Sequence, residues 1–332
     1  MTTETASDGT LRILLSRDSA GKLADDIRKV MGARRYVLVF PDESAATSAD
    51  IAFVSRDVTG LSTKHDIKPD TQRFYDALRD AQNLRWVHTP AAGVDRPIYE
   101  VLGKRGVVVT ASSGVNAPVV AHSATLGLLA LARRWPLLLD AQRRHEWFPV
   151  YAKALPHDIR GQTAVIVGWG PVGQQIGRLL QALGLNLAVA RRSGEPVADD
   201  VPTASYSGLR ELLPRADWLL LACPLSDETH HLVGREEFAM LPAQCGLVNV
   251  ARGDVVDEQA MIDVLREGRI AGAYLDVFAH EPLHRDSPLW DMPNVIVTPH
   301  MAGMSDANEP NVARLFLKNL EAFLTGSLLR HV

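Results

Sequence analysis

The fold can be predicted from one stretch, Thr163-Ala-Val-Ile-Val-Gly-Trp-Gly-Pro-Val-Gly173. In this stretch, an apolar run that suits a β-strand leads directly into a turn with three glycines. Beyond the turn, apolar residues recur with helical spacing at positions 172, 176, 179, 180 and 183, before Gly184. A strand, a glycine-rich turn and a helix in this order are typical of a dinucleotide-binding βαβ unit. The stretch therefore predicts an α/β protein with a parallel sheet.

The glycines have separate physical roles in such a turn. Gly168 permits the tight bend, Gly170 lets the main chain approach a pyrophosphate, and Gly173 allows the helix to pack closely on the strand. Pro171 and Val172 begin the helix, where free N–H groups and the positive end of the helix dipole attract phosphate. We expect these five residues to bind a dinucleotide; a turn in an α/β fold without a ligand is the alternative.

Three polar residues, Arg252, Glu281 and His300, each follow a later apolar run. Open α/β sheets build their sites at the carboxyl ends of strands, so we expect the three to meet. A guanidinium matches a carboxylate, and an imidazole beside a carboxylate can donate a proton near neutral pH. Singly, each could be an ordinary loop or helix-start residue. Together they indicate reduction of a 2-oxo acid, in which negative charge develops on the carbonyl oxygen.

These motifs resemble the D-isomer-specific 2-hydroxyacid dehydrogenase family, from about residue 11 to the C-terminus and most densely over residues 165–303. The resemblance implies that Arg252 binds and polarises the 2-oxo acid, that His300 is the general acid/base and that Glu281 pairs with His300. Positions 252, 281 and 300 are 29 and then 19 residues apart, which is similar to glyoxylate and hydroxypyruvate reductases.

The resemblance also implies further binding residues. Main-chain amides of Ala92, Gly93 and Val94 would hold the substrate carboxylate together with Arg252, and Asp276 would accept a hydrogen bond from the nicotinamide carboxamide. As alternatives, the loop at 92–94 could be a plain turn and Asp276 could cap a turn. The other cofactor contacts that the resemblance implies are Cys223, Pro224, Val250, Ala251 and His300.

The choice of cofactor depends on the residues after the run Leu187-Ala-Val-Ala190. An NAD-binding turn normally has an acidic residue there, which accepts hydrogen bonds from the ribose hydroxyls. This chain has Arg191, Arg192 and Ser193 instead, and guanidinium groups can pair with a 2′-phosphate. We therefore expect NADP(H) to be preferred, with NAD(H) possible if both arginines only solvate a strand end.

The length of 332 residues predicts two domains, since a single core stops growing near this size. We expect two Rossmann-like domains with parallel, doubly wound sheets. The substrate domain would be discontinuous, with residues 1–115 and 299–332, and residues 116–298 would form the dinucleotide-binding domain. The family resemblance implies closure about hinges near Asn116 and Thr298, and a homodimer.

Composition excludes several classes of protein. A net charge of −4 argues against binding to nucleic acid or to an acidic membrane, and the polar start of the chain shows no signal peptide. Scattered histidines predict no metal site. Cys223 and Cys245 lie in apolar runs, which favours buried, reduced thiols in a cytoplasmic enzyme that acts on a small 2-oxo or 2-hydroxy acid.

Some positions and alternatives stay open at this stage. His122 and Arg96 differ from the residues common in the family and could face the cleft. Trp147 and Phe148 resemble the family's dimer arm but could be ordinary packing residues. A phosphoglycerate dehydrogenase-like enzyme and a non-catalytic, dinucleotide-sensing corepressor-like protein are the alternative functions.

Overall fold

The computed structural model describes residues 9–60, 62–63, 65–150, 155–327 and 329. Its chain forms two compact units, one made of residues up to Val115 and from Asp306 onward, the other of Asn116–Ser305. Each unit contains one parallel sheet flanked by helices. The predicted α/β class with two doubly wound parallel sheets is confirmed.

The first unit contains a five-stranded sheet in the order β2-β1-β3-β4-β5, which is the flavodoxin-like doubly wound order. Its strands are β1 Leu11–Leu14, β2 Tyr36–Val39, β3 Ile51–Phe53, β4 Trp86–His88 and β5 Val108–Thr110. Its helices are α1 Arg17–Met31, α2 Arg56–Thr59, α3 Pro69–Asp80, α4 Pro97–Lys104 and the C-terminal α10 Asn308–Thr325.

The C-terminal helix α10 completes the core of the first unit. Phe316 is fully buried, and its ring stacks on Phe53 at 4.4 Å and on Trp86 at 5.5 Å between centroids. Val312 and Leu320, one turn away on either side, join the same core. The apolar face of α10 therefore explains why the end of the chain returns to the sheet formed by its beginning.

The second unit contains a seven-stranded sheet in the order β12-β11-β10-β9-β6-β7-β8. Its strands are β6 Thr163–Val167, β7 Asn186–Ala190, β8 Thr203–Ala204, β9 Trp218–Leu221, β10 Gly246–Asn249, β11 Gly272–Leu275 and β12 Val295–Val297. Its helices are α5 Ala117–Ala132, α6 Trp135–Arg143, α7 Pro171–Ala182, α8 Arg235–Met240 and α9 Glu258–Arg266. Among the described helices, none combines the length and the apolar character that a bilayer span requires.

The strand order of the second sheet determines where a ligand can bind. Strands β8, β7, β6, β9, β10 and β11 follow the 3-2-1-4-5-6 order of dinucleotide-binding sheets, and β12 extends the edge. The direction of winding reverses between β6 and β9, and ligands bind in the crevice outside the carboxyl ends at such a point. The glycine turn that follows β6 lies at this reversal.

The second domain boundary differs from the sequence-based expectation, since the second unit ends after Ser305 and not after Thr298. Side-chain hydrogen bonds retain the extra residues. The carboxylate of Asp276 accepts from the main-chain N–H groups of Met301 and Ala302, each at 2.9 Å, and Ser123 Oγ donates to Ala302 O at 2.9 Å. Periodicity in the sequence carries no signal for such contacts.

Candidate active site

The glycine turn after β6 fits a dinucleotide pyrophosphate. Gly168 has a φ of 100°, and a Cβ there would lie 2.6 Å from Cys223 N. A Cβ on Gly173 would lie 2.0 Å from Gly168 O, so the helix start presses on the turn. At Gly170, by contrast, no described atom lies within 4 Å of the Cβ position. α7 begins at Pro171, directly after Gly170, and the N–H groups of a helix start attract phosphate.

The loops after β7 and β9 flank the glycine turn, because β6 lies between these two strands. Arg191, Arg192 and Ser193 follow β7, and Arg192 Nε lies 2.7 Å from Glu228 Oε2 in the loop after β9. Cys223, also after β9, is buried, and burial raises the pKa of its thiol to about 12. The thiol is therefore neutral, while Pro224 beside it is exposed.

The loop after β10 presents Arg252 and is held by a buried amide. Asn249, 2% exposed, accepts at Oδ1 from Ala251 N at 3.0 Å and donates from Nδ2 to Arg252 O at 3.1 Å. A Cβ on Gly253 would lie 1.8 Å from the carbonyl carbon of Phe278, so this loop packs directly on the main chain after β11. Sequence reasoning missed Asn249; its signal was a polar residue at the end of an apolar strand.

His300 and Glu281 form a hydrogen-bonded pair. His300 Nδ1 lies 2.7 Å from Glu281 Oε2, and the two side chains are 48% and 15% exposed. Glu281 Oε1 also accepts from the main-chain N–H of Phe278 at 3.2 Å, which fixes the carboxylate beneath the ring. Because Nδ1 faces Glu281, Nε2 is the nitrogen that can exchange a proton with a bound ligand.

Opposing effects act on the Glu281 carboxyl. Burial alone would raise the pKa of Glu281, but the hydrogen bond and charge of His300, with the Phe278 N–H and the charge of Arg252, hold that pKa below its usual value. Glu281 is therefore an anion near neutral pH, and its Oε2 lies 2.7 Å from the imidazole of His300. The loop that carries Arg252 packs on the main chain of Phe278 and Ala279, just before Glu281, so the three predicted residues lie at one part of the sheet edge.

A second buried carboxylate fixes the backbone at His300, whose φ of 51° lies in the left-handed region. Asp276, 2% exposed, accepts from Thr298 Oγ1 at 2.6 Å in addition to Met301 N and Ala302 N. Its carbonyl oxygen accepts from His300 N at 2.8 Å. Burial raises the pKa of Asp276, and these donors oppose the rise. Asp276 thus positions His300; its predicted bond to a nicotinamide carboxamide stays a prediction.

In the first unit, Ala92, Gly93 and Val94 lie in the loop after β4, with Ala92 and Val94 exposed. Ser112 braces the preceding residues, since its N–H donates to Ala91 O at 2.8 Å. A role for this loop in binding a carboxylate stays a prediction.

The structure shows the surroundings of Arg96 and His122, whose roles the sequence left open. Arg96 donates to Tyr75 Oη at 2.9 Å and to Ser62 O at 2.6 Å, so its guanidinium braces the first unit. His122 is exposed on α5. Both cysteines are free and buried. The described residues contain no group of three histidine, cysteine or acidic side chains that could hold a metal ion.

Comparisons with known proteins identify the family of the chain. Residues 125–302, more than half of the chain, match the family model "D-isomer specific 2-hydroxyacid dehydrogenase, NAD binding domain". A glyoxylate reductase of Thermococcus gammatolerans is 34% identical over 302 residues, which cover 88% of this chain and 87% of that relative. A D-3-phosphoglycerate dehydrogenase of Methanocaldococcus jannaschii is 31% identical over 80% of this chain but only 50% of its own length.

A solved structure is also similar over nearly the whole chain. The D-isomer-specific 2-hydroxyacid dehydrogenase of Xanthobacter autotrophicus Py2, in complex with NADPH and MES, has a TM-score of 0.74 and 26% identity and covers 97% of this chain and 96% of its own. The fold and site define a nicotinamide-dinucleotide-dependent oxidoreductase. The chain belongs to the D-isomer-specific 2-hydroxyacid dehydrogenase family.

The Glu281–His300 pair predicts a shift in the pH profile of 2-oxo acid reduction. Glu281→Gln removes the negative charge beside Nδ1, so the imidazolium loses its proton more readily. The alkaline limb of the kcat profile should therefore move to lower pH. Glu267→Gln, a change of an exposed carboxylate in the same unit, is the control and should leave the limb in place. An unshifted limb in folded Glu281→Gln protein contradicts the pairing.

Proposed function

We propose that this protein reduces a small 2-oxo acid, such as glyoxylate or hydroxypyruvate, to the D-2-hydroxy acid, with NADPH as the preferred cofactor. The observation that carries the proposal is the His300–Glu281 pair at 2.7 Å, beside the loop that carries Arg252. These residues follow β10, β11 and β12, which are neighbours in the sheet. The cofactor would supply hydride to the carbonyl carbon.

The side chains have complementary tasks in this reaction. His300 would donate its Nε2 proton to the carbonyl oxygen, and Glu281 stabilises the charged ring before that transfer. Arg252 would bind the substrate carboxylate, because a guanidinium keeps its charge and presents two parallel N–H groups. Both cations would also stabilise the negative charge that develops on the oxygen in the transition state.

The Methanocaldococcus relative favours a second candidate, a phosphoglycerate dehydrogenase-like enzyme, since the same catalytic groups would serve it. The two candidates differ in the charge of the substrate. A comparison of kcat/KM for 2-oxo acids with and without a phosphate group, run with both cofactors, distinguishes them.

Substitution of the two cationic residues tests the proposed roles. His300→Ala should lower kcat for glyoxylate reduction by at least about 100-fold, because the proton donor is lost. Arg252→Ala should mainly lower kcat/KM for the oxo acid, by about 10-fold or more, since a charge-assisted bond contributes roughly 1.5–3 kcal/mol. Steady-state kinetics measure both effects, and fluorescence titration should show unchanged binding of NADPH by Arg252→Ala.

His284→Ala provides the control for these variants, because His284 is an exposed imidazole in the same unit. It should retain wild-type kinetics. Near-normal turnover in His300→Ala would overturn the assignment of the acid.

The preference for NADPH is supported by Arg191, Arg192 and Ser193 after β7, where two guanidinium groups could pair with a 2′-phosphate. The double variant Arg191→Ala/Arg192→Ala should raise KM for NADPH far more than KM for NADH. Arg269→Ala, before β11 at the opposite edge of the sheet, is the matched control. A wild-type protein with the higher kcat/KM for NADH contradicts the NADPH preference.

We also propose a homodimer through α5 and α6. Leu126 on α5 and Trp135 on α6 are 68% and 51% exposed, and Trp147 just beyond α6 is 97% exposed. A second copy would cover these apolar side chains, which are unfavourable when they are exposed to water as a group.

Sedimentation velocity tests the homodimer. The wild-type protein should sediment as a dimer at micromolar concentration, and Leu126→Asp should shift it towards monomer, because a buried unpaired charge is unfavourable. Glu267→Gln, a change of an exposed carboxylate outside α5 and α6, is the control and should leave the dimer intact. A fully active wild-type monomer would rule out the dimer as a requirement for activity.

A further inference from the structure

The ion pair between Arg192 and Glu228 crosses the cofactor edge of the second sheet. Arg192 Nε lies 2.7 Å from Glu228 Oε2, with side chains 66% and 58% exposed. The pair joins the loops after β7 and β9, which lie on opposite sides of β6. Neighbouring strands are about 4.8 Å apart, so β7 and β9 are roughly 10 Å apart, and the two side chains together bridge that distance. It therefore lies beside the glycine turn.

The backbone at Glu228 is held independently of Arg192. The neighbouring Thr229 is fully buried, and its hydroxyl donates to Pro224 O at 2.7 Å and accepts from Ser226 N at 2.8 Å. These bonds close a turn on which Glu228 is exposed. The carboxylate would thus remain near the edge of the sheet even when Arg192 binds another anion.

The charges around Tyr206 place the pair in one cluster with Arg191. Tyr206 is 9% exposed, and burial raises its pKa to about 12. The phenol also interacts electrostatically with Cys223, with Arg192, with Glu228 and with Arg191. One carboxylate and two guanidiniums therefore lie near the same phenol, and both guanidiniums belong to the turn after β7.

Energetics allow a phosphate to displace Glu228 from Arg192. Exposed ion pairs contribute only about 0–1 kcal/mol, whereas a phosphate carries more charge and can accept from both arginines. After displacement, the Glu228 carboxylate would lie near a like-charged phosphate and would weaken its binding. With an unphosphorylated ribose, the same carboxylate could accept from a hydroxyl, which is the task of the acidic residue in NAD-binding turns.

We propose that Glu228 is a specificity-determining residue that competes with the 2′-phosphate for Arg192 and so limits the preference for NADPH over NADH. The proposal rests on the proposed function, since it requires the adenosine ribose to bind at the loop after β7. Glu228 lies in a different loop from Arg191, Arg192 and Ser193, which are the residues that the sequence analysis predicts for this subsite.

Glu228→Gln tests the proposal through binding and through kinetics. Calorimetry with adenosine 2′,5′-bisphosphate and AMP isolates the 2′-phosphate, since the two nucleotides differ only in that group. Removal of the negative charge should strengthen binding of the bisphosphate by about 3- to 5-fold. Binding of AMP should stay the same or weaken. The ratio of kcat/KM for NADPH to that for NADH should rise in parallel.

Glu236→Gln is the matched control, because Glu236 is an exposed carboxylate that pairs with Arg210 in the same unit. It should leave both nucleotide affinities unchanged. An unchanged or weaker affinity of Glu228→Gln for the bisphosphate, or an unchanged cofactor ratio, overturns the proposal. A wild-type preference for NADH would contradict the proposed use of NADPH but not the role of Glu228. That role is decided by whether Glu228→Gln raises the affinity for the bisphosphate and the NADPH to NADH ratio of kcat/KM.

Discussion

Asp276, a buried carboxylate one residue beyond β11, fixes the segment of the second unit that carries His300. Its oxygens accept from one side-chain hydroxyl and two main-chain N–H groups after β12, and its carbonyl oxygen accepts from His300 N. A buried carboxylate without such donors would be strongly destabilising. The need to satisfy it therefore determines the path of the chain at His300, including the left-handed backbone there.

Close main-chain packing provides the other constraint on the site. At Gly168 and Gly253, a Cβ would overlap main-chain atoms of a neighbouring loop. Each contact lies at the carboxyl end of a strand and brings one loop against the next. The loop that carries Arg252 thereby lies against Phe278 and Ala279, just before Glu281, and the glycine turn lies against Ala222 and Cys223. Loops held in this way suit catalysis, because reacting groups need a fixed geometry.

The two ends of the site differ in the strength of their electrostatic interactions. Glu281 is 15% exposed and His300 is 48% exposed, so water screens this pair less than it screens a pair with two exposed side chains. Arg192 and Glu228 are more than half exposed, so Arg192 can leave Glu228 and pair with another anion at little cost in free energy. A persistent pair suits a proton donor that must keep its charge. An exchangeable pair suits a subsite that discriminates between cofactors by a single phosphate.

Local sequence patterns were enough to predict the α/β class, the glycine turn, the family and the three residues of the candidate catalytic set. Helical and strand periodicity, glycine spacing and residues after apolar runs are local properties, so one chain suffices to read them. The strand order, the boundary after Ser305, the capping by Asn249 and Asp276, and the Arg192–Glu228 pair could be seen only in the folded chain. These features depend on which strand ends become neighbours, and the free energy of those contacts arises only when the sheet has formed.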